Sequence, residues 1–279
     1  MGGVDEQSLF PRIVPDTTYG RVYEVAEGVY FPSVSTICNY GMPTDEFLIK
    51  WYIEQSRGSY ERHIKFNGEA SEVGTYVHDT ISDVLLEGKE ISISPYPLDH
   101  IKGRGYYPTY QTSIYIKKAL SSFVTWFNIH KPKIIAKETL LSCLDKVESG
   151  PKKGEYKYPF AGRCDLVAEI NGELWLLDIK TSKAVENSYS MQCQLSIYKT
   201  LWDKTNEREI DRMGIIWAKK DFTMNTPPKS VHKTYEYDYD FPLVEDTYRM
   251  FKRFYKGYDK KIGVPKQRKK LPNTFKLEL

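Results

Sequence analysis

The sequence predicts an α/β protein with one central mixed sheet flanked by helices. Two apolar-rich segments of strand character, residues 162–170 and 173–180, flank Asn171-Gly172. This dipeptide is typical of a two-residue hairpin turn, because both of its residues must accept positive φ. Helical patterns precede the hairpin, and a helix, two strands and a last helix follow it. This order favours one sheet with helices packed against it.

The N-terminal part is predicted to be helical after a short hairpin within residues 19–31. A helix is expected to begin near Ser33, and a second to span about residues 44–56 with Thr44 as its N-cap. The aromatic side chains of the second helix are interpreted as core, and stacking on bases is the alternative.

Two longer helices are predicted next. The first covers about residues 70–87 and has His78 beside its apolar stripe. Gly74 lies one turn earlier, and because glycine in a helix costs about 0.5–1 kcal/mol relative to alanine, it suggests close approach of another segment. A lone helical histidine is more often a satisfied polar residue than a ligand. A loop-rich segment at 88–108 leads to the second helix, at about 109–129.

The remaining elements lie on both sides of the hairpin. A strand at 134–143 carries Glu138 in an otherwise apolar run, either as an edge residue facing water or as a member of a carboxylate group. The elements expected after the hairpin are a helix at 188–203, strands at 213–218 and 231–239, and a helix at 241–258.

The hairpin turn also predicts which charged residues meet. If Ile170 pairs with Glu173, then Asp165 lies opposite Asp178 and Arg163 opposite Lys180, with all four side chains on one face. Directly opposed like charges are destabilising unless something compensates them. Either a divalent cation or the two basic side chains alone could do so. The apolar character of residues 174–179 indicates a buried strand, which favours the cation.

Composition limits the class of protein. The 279 residues include 41% hydrophobic and 14% aromatic residues, enough for a large core. The chain has no apolar run long enough to span a membrane and no signal-peptide pattern, so we expect a cytoplasmic protein without membrane contact. Its four cysteines form no Cys-x-x-Cys pair, so we expect them to be reduced and buried.

Charge is uneven along the chain. The formal net charge is +3, and residues 256–279 carry +6, so residues 1–255 sum to −3. The basic C-terminus either contacts phosphates or is a solvated tail that aids solubility.

Three strings around the hairpin resemble the PD-(D/E)XK nuclease superfamily: Gly162-Arg-Cys-Asp165, Asp178-Ile-Lys180 and Gln194-Leu-Ser-Ile-Tyr198. With Gly74-Thr-Tyr-Val-His78 upstream, the chain is similar to the RecB-like exonuclease branch, which includes phage exonucleases and the mitochondrial genome maintenance exonuclease. The resemblance implies a restriction-endonuclease-like core at 133–258. A helical N-terminal portion, 1–132, would contribute His78, and 259–279 would be a basic tail.

The resemblance also implies a metal site. Asp165, Asp178, the main-chain carbonyl of Ile179 and the imidazole of His78 would bind one or two Mg²⁺ or Mn²⁺ ions. Lys180 would orient or help deprotonate the attacking water. No iron–sulfur cluster is expected, because this chain has no cysteine after position 193 to match the C-terminal cluster ligands of some relatives.

Further residues are implied around that site. Glu138 would join it directly or through water. Gln194 and Tyr198 would support it and touch DNA, and Arg163 would contact phosphate or form an ion pair with Asp178.

The implied function is a metal-dependent DNA exonuclease of recombination, repair or replication. Its substrates would be single- or double-stranded DNA ends, with a recombination or replication protein as a candidate partner. The alternatives are a structure-specific endonuclease of the same fold and a non-catalytic DNA-binding module that retains the fold. A binding module has no use for a desolvated pair of acids, which weighs against the last alternative.

Overall fold

The structure is a computed structural model, and it describes residues 11–14, 20–44, 49–50, 53–54, 60–91, 110–182, 188–220, 222–223, 225–227 and 230–254. The chain forms two compact units. The first comprises residues 1–42, 140–162 and 245–279, and the second comprises 43–139 and 163–244. Each unit is thus built from segments that are distant in sequence.

The first unit contains a small antiparallel sheet. Its strands are β1 (Arg12–Val14), β2 (Val22–Ala26) and β3 (Val29–Pro32), in that order. The last two form the hairpin that was predicted. Helix α1 (Val34–Gly41) follows, and the Ser33 side chain caps it by accepting a hydrogen bond from the Thr36 N–H at 3.0 Å, as expected for an N-cap serine.

The second unit begins its described part with helices. Helix α2 (Tyr60–Asp83) starts ten residues earlier than predicted and is followed by a 3₁₀ turn at Leu85–Glu87; helix α3 is Tyr110–His130. Of the helix predicted at 44–56, Thr44 is described and is not helical, as suits an N-cap, and residues 49–50 and 53–54 are described and helical. Its aromatic side chains, and most of the loop predicted at 88–108, lie outside the described residues.

A five-stranded mixed sheet follows, with its strands in sequence order. They are β4 (Lys133–Ser142), β5 (Ala161–Ile170), β6 (Glu173–Lys180), β7 (Arg212–Ala218) and β8 (His232–Tyr237). Strands β6 and β7 are parallel, whereas β5–β6 and β7–β8 are antiparallel. Helix α4 (Tyr189–Thr205) forms the crossover between the parallel strands, and α5 (Phe241–Phe254) is last. The basic tail lies outside the described residues.

The Asn171-Gly172 turn has the predicted conformation. Its two residues have φ of 52° and 86°. The ladder of β5 and β6 then runs from Ile170–Glu173 to Leu166–Leu177, which confirms the predicted register over these pairs. Continuing it by one position brings Asp165 opposite Asp178.

A hydrophobic core fixes α2 and α3 against one face of the sheet. Val77 and Ile81 of α2 and Phe123 of α3 pack there with Leu166 and Leu177 of the hairpin. At about 25 cal/mol per Å², burying each such side chain stabilises the fold by roughly 1.5–3 kcal/mol. His78 is the neighbour of Val77, so this packing also determines where His78 lies.

Two expectations from composition can be compared with the structure. All four cysteines are buried and none is in a disulfide, as predicted. Within the described residues, no helix is both long enough and apolar enough to cross a membrane.

Gly74 is less crowded than the sequence suggested. The approaching segment exists, because Thr181 follows directly after β6, but a methyl group built on Gly74 would lie 3.8 Å from its Oγ1. This is an ordinary van der Waals contact, so another segment does approach Gly74 as expected, but it leaves room for a methyl group.

Two glycine substitutions therefore test the backbone account. A methyl group at Gly172 would meet nothing within 4 Å, yet φ is positive, so Gly172→Ala should lower the free energy of unfolding by about 1 kcal/mol. Gly74→Ala should raise it by about 0.5–1 kcal/mol, because the position is helical and has space. Urea denaturation measures both, and the same sign for the two variants would contradict the account.

Candidate functional site

Asp165 is held at the end of the hairpin by two groups from different elements. Its Oδ2 accepts a hydrogen bond from the Ile179 N–H at 2.8 Å and lies 3.3 Å from Nδ1 of His78 on α2. Val77 of α2 is buried in the core against the sheet. This packing holds the neighbouring imidazole of His78 beside the hairpin. The carboxylate is therefore oriented by a main-chain amide and by an imidazole.

Asp178 is held by a different pair. Its side chain is 4% exposed; Nζ of Lys180 donates to its Oδ1 at 3.0 Å and lies 2.7 Å from its Oδ2. Nε2 of Gln194, on α4, donates to Oδ1 at 3.0 Å. The ammonium approaches Oδ2 without the alignment of a hydrogen bond, so this buried oxygen makes an ionic contact only.

Glu138 has an unusual backbone. Its φ is 45° within strand β4, in the left-handed region that residues other than glycine rarely adopt. Such a conformation costs about 1–3 kcal/mol and is found most often at functional sites. The Glu138 carboxylate lies 3.7 Å from Nη1 of Arg163, which is the neighbour but one of Asp165 on β5. Nothing in the sequence signals this backbone conformation.

His78, Glu138 and Asp165 converge. Each offers one ligand atom, and these atoms all lie within 4.8 Å of one another. One imidazole and two carboxylates form a donor set that suits Mn²⁺ and is compatible with Mg²⁺. The incompletely satisfied Oδ2 of Asp178 lies at the adjacent end of β6. The residues present therefore fit a divalent cation.

Charge in this group is distributed unequally. Burial favours the neutral imidazole, but the charge of Asp165 and its hydrogen bond outweigh burial and raise the pKa of His78 to about 9. Burial likewise favours the neutral carboxyl of Asp165, yet the His78 and Lys180 cations hold the pKa of Asp165 below its ordinary value. Asp165 and a protonated His78 thus form an ion pair at neutral pH.

The other two acids show the opposite direction. Burial raises the pKa of Asp178, the charge of Asp165 adds to this, and Lys180 only partly offsets it. Burial and then the charge of Asp165 raise the pKa of Glu138. Burial also raises the pKa of the adjacent Cys164 thiol to about 12, so this thiol stays protonated and is not suited to bind a metal at neutral pH.

Three residues named from the sequence lie at the margin of this group. Tyr198 is one turn from Gln194 on α4 but is buried, so its expected contact with DNA stays a prediction. The Arg163 side chain is 47% exposed and pairs with Glu138, whereas Asp178 is held by Lys180 and Gln194. Ile179 contributes its N–H to Asp165, and the metal-binding role of its carbonyl stays a prediction.

A family model of the PD-(D/E)XK nuclease superfamily matches residues 49–261. The chain belongs to this superfamily. Its five-stranded mixed sheet flanked by helices is the restriction-endonuclease-like fold that the sequence predicted. The superfamily consists of nucleases that use divalent metals and act on nucleic acid, and the acids gathered at the hairpin of this PD-(D/E)XK protein are consistent with that chemistry.

Other comparisons contribute less. No curated protein matches the chain. Among solved structures, the one titled "Crystal structure of SSO0001" aligns with 47% of this chain and 55% of its own, at 18% identity and a TM-score of 0.29. The alignment thus spans about half of each chain. At this TM-score, the likeness says nothing about the fold or function of the PD-(D/E)XK protein.

The charge state of His78 can be measured directly. In metal-free protein, NMR titration should show one histidine with a pKa of about 9 that is missing from His78→Gln, whereas burial lowers the pKa of His130 and His232 below 6.5. Because the folded pKa is raised, the stabilisation by the His78–Asp165 pair is complete below pH 6.5 and is lost as pH rises through about 9. A His78 that titrates at 6.5 or lower would refute the ion pair.

Proposed function

We propose that this protein is a metal-dependent DNA exonuclease of the RecB-like branch, acting in recombination, repair or replication. The superfamily supports hydrolysis of nucleic acid phosphodiester bonds. The proposal is more specific than the superfamily in three respects: the substrate is DNA, cleavage begins at its ends, and the protein belongs to the RecB-like branch. This specificity rests on the Gly74-to-His78 and Gln194-to-Tyr198 strings described above.

One observation carries the proposal. Asp178 is almost fully buried, yet it is bound on one side by Lys180 and on another by Gln194. Burying a carboxylate costs several kcal/mol unless it is paired, and an apolar residue would fill a strand end at lower cost. A buried acid beside a partly buried lysine is therefore expected where both take part in chemistry.

The neighbouring donors would hold the metal. His78, Glu138 and Asp165 are the residues proposed to bind it, joined by Asp178 and the carbonyl of Ile179. A bound divalent cation would stabilise charge on the phosphoryl group and lower the pKa of its water, which supplies a nucleophile near neutral pH.

The other groups are proposed to orient the reactants. Lys180 carries hydrogens that can be donated to the attacking water or to a phosphate oxygen, and its charge offsets the negative charge that develops there. Gln194 donates to Oδ1 of Asp178, so Oδ2, which contacts the Lys180 ammonium, is the oxygen proposed to face the metal. Arg163, half exposed at the rim, is suited to contact a neighbouring phosphate.

Variants at the Asp178–Lys180 pair test the reaction. Lys180→Ala and Asp178→Asn should each reduce cleavage of end-labelled linear DNA by about 10²–10⁴-fold, because each removes a group that acts on the reacting atoms. EDTA should abolish cleavage, and added Mn²⁺ or Mg²⁺ should restore it. Glu236→Gln is a matched control. This glutamate pairs with Arg212 on the same sheet, near the hairpin turn and away from Asp178 and Lys180.

The substrate set separates the possible activities. Blunt, 5′-tailed and 3′-tailed DNA should be digested from their ends, and a covalently closed circle should stay intact. Cutting of the circle would contradict the exonuclease proposal and favour an endonuclease. Undiminished cleavage by both Lys180→Ala and Asp178→Asn would eliminate the assigned site. DNA binding without metal-dependent turnover would favour the non-catalytic module.

A further inference from the structure

A row of side chains crosses the sheet beside Lys180. The parallel ladder of β6 and β7 pairs Lys180 with Trp217, and the antiparallel ladder of β7 and β8 pairs Trp217 with Lys233. Paired residues in adjacent strands project from the same face of a sheet, and adjacent strands are about 4.8 Å apart. Lys233 is therefore about 10 Å from Lys180 across the sheet.

Aromatic rings and ammonium groups alternate along this row. Tyr235 follows Lys233 on the same face, and its ring centroid is 6.0 Å from that of Trp217. Nζ of Lys233 lies 4.2 Å from the Tyr235 ring, and Nζ of Lys219 lies 4.8 Å from the Trp217 ring. Lys233 is exposed, and the other three are partly exposed. We call these four residues the Trp217 row.

Helix α4 lies on the same face and runs from Gln194, which contacts Asp178, toward the end of β8. Ser196 accepts a hydrogen bond from the Asp240 N–H, and Thr200 bonds to the Tyr239 hydroxyl, so α4 lies near the point where β8 ends. The Trp217 row is at the other end, where β8 begins and where β6 ends in Lys180. It is therefore continuous with the proposed catalytic group.

The other face of the sheet carries a pair of a cation and an aromatic ring for comparison. There the guanidinium of Arg212 lies 5.7 Å from the Trp175 ring and forms ion pairs with Glu173 and Glu236. Two carboxylates neutralise that cation. In the Trp217 row, Nζ of Lys233 contacts a ring, and Nζ of Lys219 contacts a ring and donates to the Ser230 carbonyl at 2.9 Å. Neither a ring nor a carbonyl carries a formal negative charge, so these contacts do not neutralise the ammonium groups.

We propose that the Trp217 row binds the unpaired DNA strand that adjoins the phosphate at Lys180. The inference rests on the proposed nuclease function and specifies its substrate contact. Lys219 and Lys233 bind phosphates of that strand, and Trp217 and Tyr235 stack on its bases. Stacking requires an exposed base face, which a base-paired duplex conceals, so the row selects single-stranded DNA.

Binding without turnover tests the row directly. In EDTA, the anisotropy of a labelled single strand of about 12 nucleotides should report a dissociation constant about tenfold higher for Trp217→Ala than for wild type, from the loss of one stacked base. Lys233→Ala should reduce the slope of log affinity against log salt by about 0.7, the value for one phosphate contact on a single strand. Trp217→Phe should retain most of the affinity.

Arg212→Ala is the matched control, because it removes one cation from the other face of the same sheet. It should bind single strands within about twofold of wild type. The proposal is overturned if Lys233→Ala and Trp217→Ala bind single strands as this control does. It is also overturned if the two variants lose as much affinity for blunt duplex as for single strands. If Trp217→Ala does not fold, Lys233→Ala alone tests the proposal, since Lys233 is exposed and its truncation leaves the core intact.

Failure of the row and failure of the nuclease proposal give different results. If wild type binds single strands through Trp217 but cuts no DNA with Mn²⁺, the catalytic proposal fails and the row stands. If wild type cuts DNA and the Trp217 and Lys233 variants bind and cut as it does, the catalytic proposal stands and the row fails.

Discussion

The repulsion between two carboxylates at the buried end of one hairpin determines much of this structure. The register set at the Asn171-Gly172 turn extends to Leu166–Leu177, and Asp165 and Asp178 are the next residues on the two strands. Each acid has its own cation, His78 for Asp165 and Lys180 for Asp178. His78 lies on a separate helix, α2. The rotation of α2 about its own axis therefore decides whether the imidazole reaches Asp165 and offsets the repulsion between the two acids. The buried Val77 face of α2 fixes that rotation.

The same arrangement prepares the site for its proposed chemistry. Asp165 stays ionised because a protonated imidazole and a main-chain amide hold it, whereas the pKa of Asp178 is raised by burial and by its neighbour. A cation brought to the trio of His78, Glu138 and Asp165 would take over the role of the imidazolium proton. The strained backbone of Glu138 and its contact with Arg163 indicate that the third acid, too, is held in place against a local cost.

Most of the fold could be predicted because its signals are local. The hairpin turn, the start of α1 next to Ser33 and the amphipathic stripe around His78 each depend on a few adjacent residues. The Asp165–Asp178 pairing followed from the turn alone. The positive φ of Glu138 and the pairing of Arg163 with Glu138 could not be predicted, since both depend on how β4 lies beside β5. The start of α2 was placed too late, because residues 60–69 have no clear apolar stripe. The approach of another segment to Gly74 was predicted, but its distance, which leaves room for a methyl group, could not be.

Crystals grown with Mn²⁺ would test the central claim most directly, through the anomalous scattering of the ion. We expect one strong anomalous peak bonded to His78, Glu138 and Asp165, and its loss in Asp165→Asn. A peak elsewhere, or none while His78 remains paired with Asp165, would contradict the claim that the hairpin end is a metal site.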